Sequence, residues 1–332
     1  MDLNSSHLPI KVSLIGLGNV GCKYDLADKS QSLTHASAIS NDPRFELIAG
    51  VDQDSHSRAI FEDSYGVRAF PTIQELMAYS KPEIVTIATK TEDHVKNIKD
   101  LLEHRTIKLL LCEKPISKNA QELKELTRDL GLSEKIVLVN YQRRTEATAN
   151  EVRALIKENK FGAYLSGSGL YSRGYYNNGS HMIDLLEWWF QSKLEIVKLI
   201  ELSKNSGDYD ATMALKVRNR NFLLQAVPAP LASIFEITLQ FEFAQLRYAA
   251  GGAQVYFDEV VGDEKFKGMR TISTSNTPAF ADLSASMASV YNDIYSILLG
   301  GASLLKSAAE AMDLIYRMQG FIHGNGEINA GN

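Results

Sequence analysis

The chain has 332 residues, 45% of them hydrophobic and 23% charged, a balance that accommodates two domains with substantial cores and excludes a disordered chain. Its net charge of -5, its pI near 5.9 and the lack of any lysine–arginine run exclude a surface that gathers polyanions by bulk charge, so no nucleic-acid partner is expected. The opening MDLNSSHLPI has no basic segment followed by an apolar core, and no apolar stretch reaches the roughly 20 residues of a membrane span, so a cytoplasmic protein without a membrane partner is expected.

Ile10 to Ile15 is a short apolar run that predicts a strand, and Gly16, Leu17, Gly18, Asn19, Val20 and Gly21 follow at once. GxGxxG after a strand suits a dinucleotide, because the glycines permit a tight turn and let backbone N–H groups approach a pyrophosphate. Cys22 to Ser32 is polar and aperiodic. It reads as an insertion before a helix at Thr34 to Ser40, with Tyr24 and Asp25 either bordering the cofactor or lying in a plain surface loop. A second strand, Phe45 to Val51, ends in Asp52, whose carboxylate can accept from both ribose hydroxyls and so favours NAD over NADP.

The alternation continues with a strand at Val67 to Phe70, a helix at Ile73 to Tyr79, a strand at Ile84 to Thr89 and a helix at Thr91 to His104. Thr91 is the expected N-cap of that helix and His94 lies in its first turn. Next comes KLLLCEKP. Leu109 to Cys112 read as a strand covered on both faces, and Pro115 stops the pairing. Glu113 and Lys114 are thereby delivered to the carboxyl tip, the edge at which an open parallel sheet collects its ligands. A helix at Asn119 to Leu130 and a strand at Lys135 to Asn140 complete this half. The strand exits into Tyr141, Gln142, Arg143 and Arg144, and the two arginines suit an anionic or polyhydroxylated ligand, or else an ion pair.

After a helix at Thr145 to Asn159 the texture changes to strands, at Leu165–Ser172, Leu194–Leu202, Ala211–Val217, Phe222–Val227, Ile234–Phe241, Gln245–Tyr248 and Ala253–Phe257. The series predicts a largely antiparallel sheet with an open face suited to self-association. Closing helices at Ala281 to Leu299 and Ser303 to Gly320 flank the break at Gly300 and Gly301. Within this half, Tyr175 to Phe190 reads YYNNGSHMIDLLEWWF. On a helix, Met182, Leu185, Leu186 and Trp189 share one face, while Asn177, His181 and Asp184 share another. A histidine so placed suits proton transfer near neutral pH, or is a buried ring satisfied by Asp184. The cysteines are Cys22 and Cys112 alone, and the seven histidines lack ligand spacing, so neither a disulfide framework nor a metal is expected.

Taken together, GLGNVG, the acid of GVD, IATKTEDH, CEKP, NYQRR and NNGSHMIDLL resemble the glucose-fructose oxidoreductase, inositol dehydrogenase and rhizopine-catabolism (Gfo/Idh/MocA) family in order and spacing over nearly the whole chain. The resemblance implies an α/β fold with a Rossmann NAD-binding domain at 8–144. At 145–325 it implies an α+β substrate-binding and oligomerisation domain with an open, largely antiparallel sheet. It further implies NAD contacts from the glycine loop, Asp52, Ala88, Thr89, His94, Glu113, Lys114 and Gln142. The reacting centre would be Lys114, His181 and Asn177, with Arg143, Arg144, Tyr171, Arg173, Asn178 and Asp184 on the substrate.

Many polyol dehydrogenases of the family carry an aspartate four residues before the histidine, where this chain has Asn177. An amide cannot take a proton, so acid–base duty falls to His181, assisted by Lys114 or Tyr171. NYQRR and NNGSH also look like relatives that act on nucleotide-linked sugars and are associated with bacterial surface polysaccharides. The expected function is an NAD(H)-dependent oxidoreductase acting on a ring carbon of a sugar, sugar acid or nucleotide sugar, assembled as a homodimer or homotetramer. Two alternatives remain: a non-catalytic NAD-binding regulatory protein, and a redox-neutral enzyme with tightly held NAD.

Overall fold

The computed structural model describes residues 8–205, 207–228, 232–274, 276–281 and 286–323. The chain divides into two units, one made of the residues up to Gln142 together with Ser284–Met312, the other of Arg143–Leu283 with the residues from Asp313.

The first unit begins as alternating strand and helix: β1 Ile10–Ile15, α1 His35–Asn41, β2 Phe45–Val51, α2 Ser55–Tyr65, β3 Ala69–Phe70, α3 Ile73–Tyr79, β4 Ile84–Ile87, α4 Thr91–Leu102, β5 Leu109–Cys112, α5 Ala120–Leu130 and β6 Ile136–Val139. The strands pair in parallel in the order β3–β2–β1–β4–β5–β6. Every residue of β4 and β5 is buried, which is why these two strands are uninterrupted apolar runs with a single Thr86 and a single cysteine. The order reverses between β1 and β4, the switch point at which such sheets open a crevice beyond their carboxyl ends. β4 is shorter than the expected Ile84 to Thr89. Ala88 N–H donates to Ile15 C=O at 2.7 Å, and Ala88 and Thr89 form the exit turn. Lys90, in extended geometry, is the N-cap of α4, and Thr91, the expected cap, is its first helical residue.

The second unit starts with α6 Ala147–Lys157, β7 Tyr164–Tyr171, α7 Ser180–Phe190, β8 Glu195–Asn205, β9 Asp208–Val217 and β10 Arg220–Ala226. It continues with β11 Phe235–Phe241, β12 Ala244–Ala249, β13 Gln254–Gly262, β14 Arg270–Ser273 and β15 Phe280–Ala281. Its sheet runs β8–β9–β10–β7–β11–β12–β13–β14 with β15 on β13, and all of its pairings are antiparallel except β7 with β10. β11 and β12 alternate between buried and partly exposed residues, the pattern of strands with one packed face. α7 lies close enough on β7 that a Cβ at Gly169 would overlap Met182 Sδ, so the helix approach depends on a missing side chain. β14 and β15 were not expected. They are short, and β14 is exposed throughout, so no buried alternation marks it.

The chain then forms α8 Ser286–Leu298, β16 Lys306–Ser307 and α9 Ala308–His323. Met287, Val290, Tyr291 and Ile294 of α8 join Leu14, Ala38, Ile39 and Phe45 in one buried cluster, and β16 pairs antiparallel with β6 as a seventh strand. Segment 286–312 therefore packs in the first unit, whereas the sequence division at 144 and 145 put it in the second. Helical spacing identifies an apolar face without naming the sheet it covers. Residues 282–285 of the expected helix at Ala281 and residues 324–325 of the expected second domain lie outside the described residues, and Ala281 itself ends β15. Among the described residues no helix is long and apolar enough to cross a membrane.

The tight seat of α7 is testable. Gly169→Ala is expected to cost about 1–3 kcal/mol by overpacking, read by urea denaturation. Because the clash is with one side chain, Gly169→Ala with Met182→Ala should lose less than the sum of the two single changes.

Candidate active site

In the first unit the expected cofactor residues gather at the carboxyl edge. Gly16 has φ +92°, in the left-handed region, and its N–H donates to Val51 C=O at 2.8 Å. A Cβ there would lie 2.6 Å from the Ala88 carbonyl and 2.7 Å from Thr89 N, so the loop packs backbone to backbone against the β4 exit. Gly18, by contrast, has open space where a Cβ would stand. A closed inner side and an open outer side fit a dinucleotide laid along the loop. Asp52 supports the loop as well as edging it: Oδ2 accepts from Leu17 N–H at 2.8 Å and Oδ1 from Asp54 N–H at 2.9 Å. Asp25, expected as a possible cofactor neighbour, is buried and accepts from Leu33 N–H, Thr34 N–H, Thr34 Oγ1 and Ser37 Oγ. It closes the inserted loop onto the start of α1, while Tyr24 is exposed.

His94 is buried in the first turn of α4 and faces two carbonyls, Pro115 O at 2.9 Å from Nδ1 and Thr89 O at 3.0 Å from Nε2. It ties the exits of β4 and β5 together. Beside it, Glu113 is the hub of a hydrogen-bond chain that sequence reading missed. His35 Nε2 lies 3.0 Å from Glu113 Oε1, and Asn140 Nδ2 donates to the same oxygen at 2.6 Å. The other His35 nitrogen, Nδ1, is 3.1 Å from Tyr291 Oη, which is 3.0 Å from Thr86 Oγ1. Burial pushes the Glu113 carboxyl upward, but His35, Asn140 and the Lys114 charge outweigh it and hold the group below its ordinary value. Lys114, half-buried, follows directly.

In the second unit, Tyr175–Gly179 forms a π-helical turn that runs straight into α7, so Asn177 and His181 lie on consecutive turns as expected. The turn has no side-chain cap of its own. Asp208, at the start of β9, supplies one by accepting from Tyr176 N–H at 3.0 Å and Asn177 N–H at 3.2 Å. His181 is 6% exposed, and Asn177 and Asn178 are half-buried.

Three substrate expectations change. Arg144 and Asp184 are buried in a bidentate pair, with Nε to Oδ2 at 2.9 Å and Nη2 to Oδ1 at 2.8 Å, each neutralising the other's buried charge. Tyr171 is fully buried and exchanges hydrogen bonds with Ala211, its Oη donating to the carbonyl at 2.7 Å and accepting from the N–H at 3.0 Å. Burial also pushes its phenol far up, which removes it as an acid–base assistant near neutrality. Arg143 stacks on Phe235, 3.8 Å from the ring centroid, and donates to Gly251 O. Arg173 has an exposed side chain and a left-handed φ of +68°, and Gln142 opens the 3-10 turn Gln142–Thr145.

The fold and its edge residues define a class: a parallel-sheet NAD-binding Rossmann domain joined to an α+β domain with a large, mostly antiparallel sheet. Residues 10–141 match the family model described as oxidoreductase family, NAD-binding Rossmann fold. Over these residues the chain is similar to the Gfo/Idh/MocA oxidoreductases. Inositol 2-dehydrogenase of Rhizobium meliloti is 25% identical over 157 residues, which is 47% of this chain and 43% of that relative, so the match spans less than half of either. In fold, the chain is similar to the WlbA dehydrogenase of Bordetella pertussis, solved with NADH and UDP-GlcNAcA, with TM-score 0.72, 18% identity and 96% and 97% of the two chains covered. It is also similar to a super-repressor mutant of Gal80p from Saccharomyces cerevisiae, with TM-score 0.73, 14% identity and 96% of each chain covered.

Two outcomes follow from these hydrogen bonds. A carboxyl held low contributes stability at neutral pH that is lost as pH falls through its folded value. The stability gap between the native chain and Glu113→Gln should therefore be full near neutrality and close as pH drops below 4.5, the group's ordinary value, in urea titrations at stepped pH. Asp208→Ala should cost about 0.5–2 kcal/mol through the lost cap, and Asp208→Asn, which keeps an acceptor, should recover most of it.

Proposed function

We propose that this chain is an NAD(H)-dependent oxidoreductase acting on a CH–OH group of a sugar, sugar acid or nucleotide sugar, with Lys114 and His181 at the reacting centre. The observation that carries the reading is the Glu113–Lys114 tip. It is a carboxylate fixed by donors from separate elements, next to a lysine, at the same sheet edge as the glycine loop. NAD, when bound, supplies hydride acceptance or donation at its nicotinamide ring. Lys114 places a positive charge where an alkoxide develops, and His181 moves the hydroxyl proton. Asn177 can orient a hydroxyl but cannot take its proton. Asp52 favours NAD over NADP because a 2′-phosphate would meet its carboxylate. Arg143, Arg173 and Asn178 are the remaining substrate-side candidates. Leu223 on β10, 38% exposed and in register with Ser168 on the face opposite Gly169, supports self-association through the open sheet face as a homodimer or homotetramer.

A second reading, a non-catalytic NAD-binding regulator, draws support from the likeness in fold to Gal80p and from Asn177. NADH absorbance across a panel of free polyols, sugar acids and nucleotide sugars separates the two. One substrate class should turn over, and Lys114→Ala and His181→Ala should each lower kcat by about 10²–10⁴-fold, with NADH still bound by the His181 variant. Unchanged turnover in both variants refutes the residue assignment. NADH binding without turnover on any class favours the regulator, and NAD that copurifies without ever appearing as free NADH points to a closed redox cycle.

A further inference from the structure

We propose that His35 is a positioning residue of this site: held between Tyr291 and Glu113, it fixes the carboxylate that precedes Lys114 and with it the backbone that carries the lysine. The inference rests on Lys114 acting at the reacting centre. His35 is fully buried, 78 residues from Glu113 and 256 from Tyr291 in sequence, and all three belong to the first unit. Its ring has little freedom. Nε2 faces a carboxylate, which only accepts, so Nε2 carries a hydrogen whatever the charge of the ring. Nδ1 is held by Tyr291 Oη, itself held by Thr86 Oγ1, and the Tyr291 ring packs edge-on at a centroid distance of 6.0 Å and 83°. A flip of the imidazole would break both contacts.

The geometry continues into the lysine. Glu113 Oε1 takes His35 and Asn140, while Oε2 accepts from the backbone N–H of Lys114 at 3.3 Å. His35 is therefore one carboxylate away from the Lys114 main chain. The ionisable groups facing this carboxylate are His35 from α1, Cys112 at the end of β5 and Lys114 just beyond it, with the Tyr291 phenol of α8 behind the imidazole. Asn140 contributes a neutral donor from the end of β6. Removing His35 takes away one of the two side-chain contacts on Glu113 Oε1.

Two readouts on the full-length protein decide this without substrate. The first is the Glu113 carboxyl titration by 13C NMR of glutamate-labelled protein, assigned with Glu113→Gln. The second is the rate at which acetic anhydride modifies Lys114, followed by mass spectrometry of the digested chain. In His35→Ala the Glu113 midpoint should rise by about one pH unit and the Lys114 rate should change. His35→Gln, whose amide can donate as Nε2–H does, should bring both back toward native values. If either readout is unmoved in His35→Ala, or if Gln rescues neither, the proposal is overturned. Should the alanine variant fail to fold, Tyr291→Phe keeps the ring and carries the same expectation with a smaller shift, and an unmoved midpoint there overturns it equally. Turnover tests the underlying reading separately. On an active substrate His35→Ala should lose about 10- to 100-fold in kcat with little change in KM. A native protein inactive across the panel would refute the oxidoreductase reading while the two substrate-free readouts still decide the role of His35.

Discussion

One half-buried anion organises the first unit. An ionised carboxyl taken out of water is costly unless donors converge on it, and Glu113 meets that requirement with groups from separate parts of the chain: His35 from α1, Asn140 from the end of β6 and the N–H of Lys114. Through His35 the requirement extends to Tyr291 on α8 and Thr86 inside β4. Satisfying a single side chain thus fixes the registry of two helices, two strand ends and the interior of β4. His94 repeats the device with carbonyls in place of a carboxylate, joining α4 to the exits of β4 and β5. The edge at which the glycine loop sits is therefore rigid on grounds independent of any ligand.

The second unit secures its histidine by committing the neighbours of that histidine elsewhere. On α7, Met182 packs into the space left by Gly169, Leu185 and Leu186 are fully buried, and Asp184 is spent on Arg144. The turn before the helix is held by Asp208 from β9. A side chain that must move a proton is best carried on an element whose other contacts do not shift, and α7 meets that condition by packing on one side and by a satisfied ion pair on another.

Much of this fold can be read from the residues because its signals are local. The glycine loop, the apolar run broken at Pro115 and the helix at Ile73–Tyr79, which has the same limits in sequence and structure, each depend on neighbours a few positions apart. The parts that could not be read are those that tertiary packing decides. Periodicity marks Met287, Val290, Tyr291 and Ile294 as a face, yet says nothing about which sheet they cover. Asp184 sits one helical turn from His181, and helical geometry alone suggested that pair. The competing partner, Arg144, lies 40 residues earlier and forms the better, bidentate contact. His35 carried no local signal, since its partners are 78 and 256 residues away.

The hydrogen-bond chain also bears on the choice between an enzyme and a regulator. Holding a dinucleotide asks for the glycine cradle and Asp52, and the structure supplies these without reference to Glu113. Nor does stability single out a charged network there: although losing Glu113 alone destabilises, replacing the carboxylate together with its partners by well-packed apolar groups commonly serves as well. A regulator that only senses NAD would therefore carry a half-buried carboxylate, a fully buried histidine and a buried tyrosine hydroxyl with no use for them. A reaction that develops negative charge next to Lys114 does have a use for them, because electrostatic stabilisation depends on a charge that is already in place and does not reorganise when the reaction occurs. The arrangement that costs most in the first unit is thus the one that the oxidoreductase reading requires and the regulatory reading leaves idle.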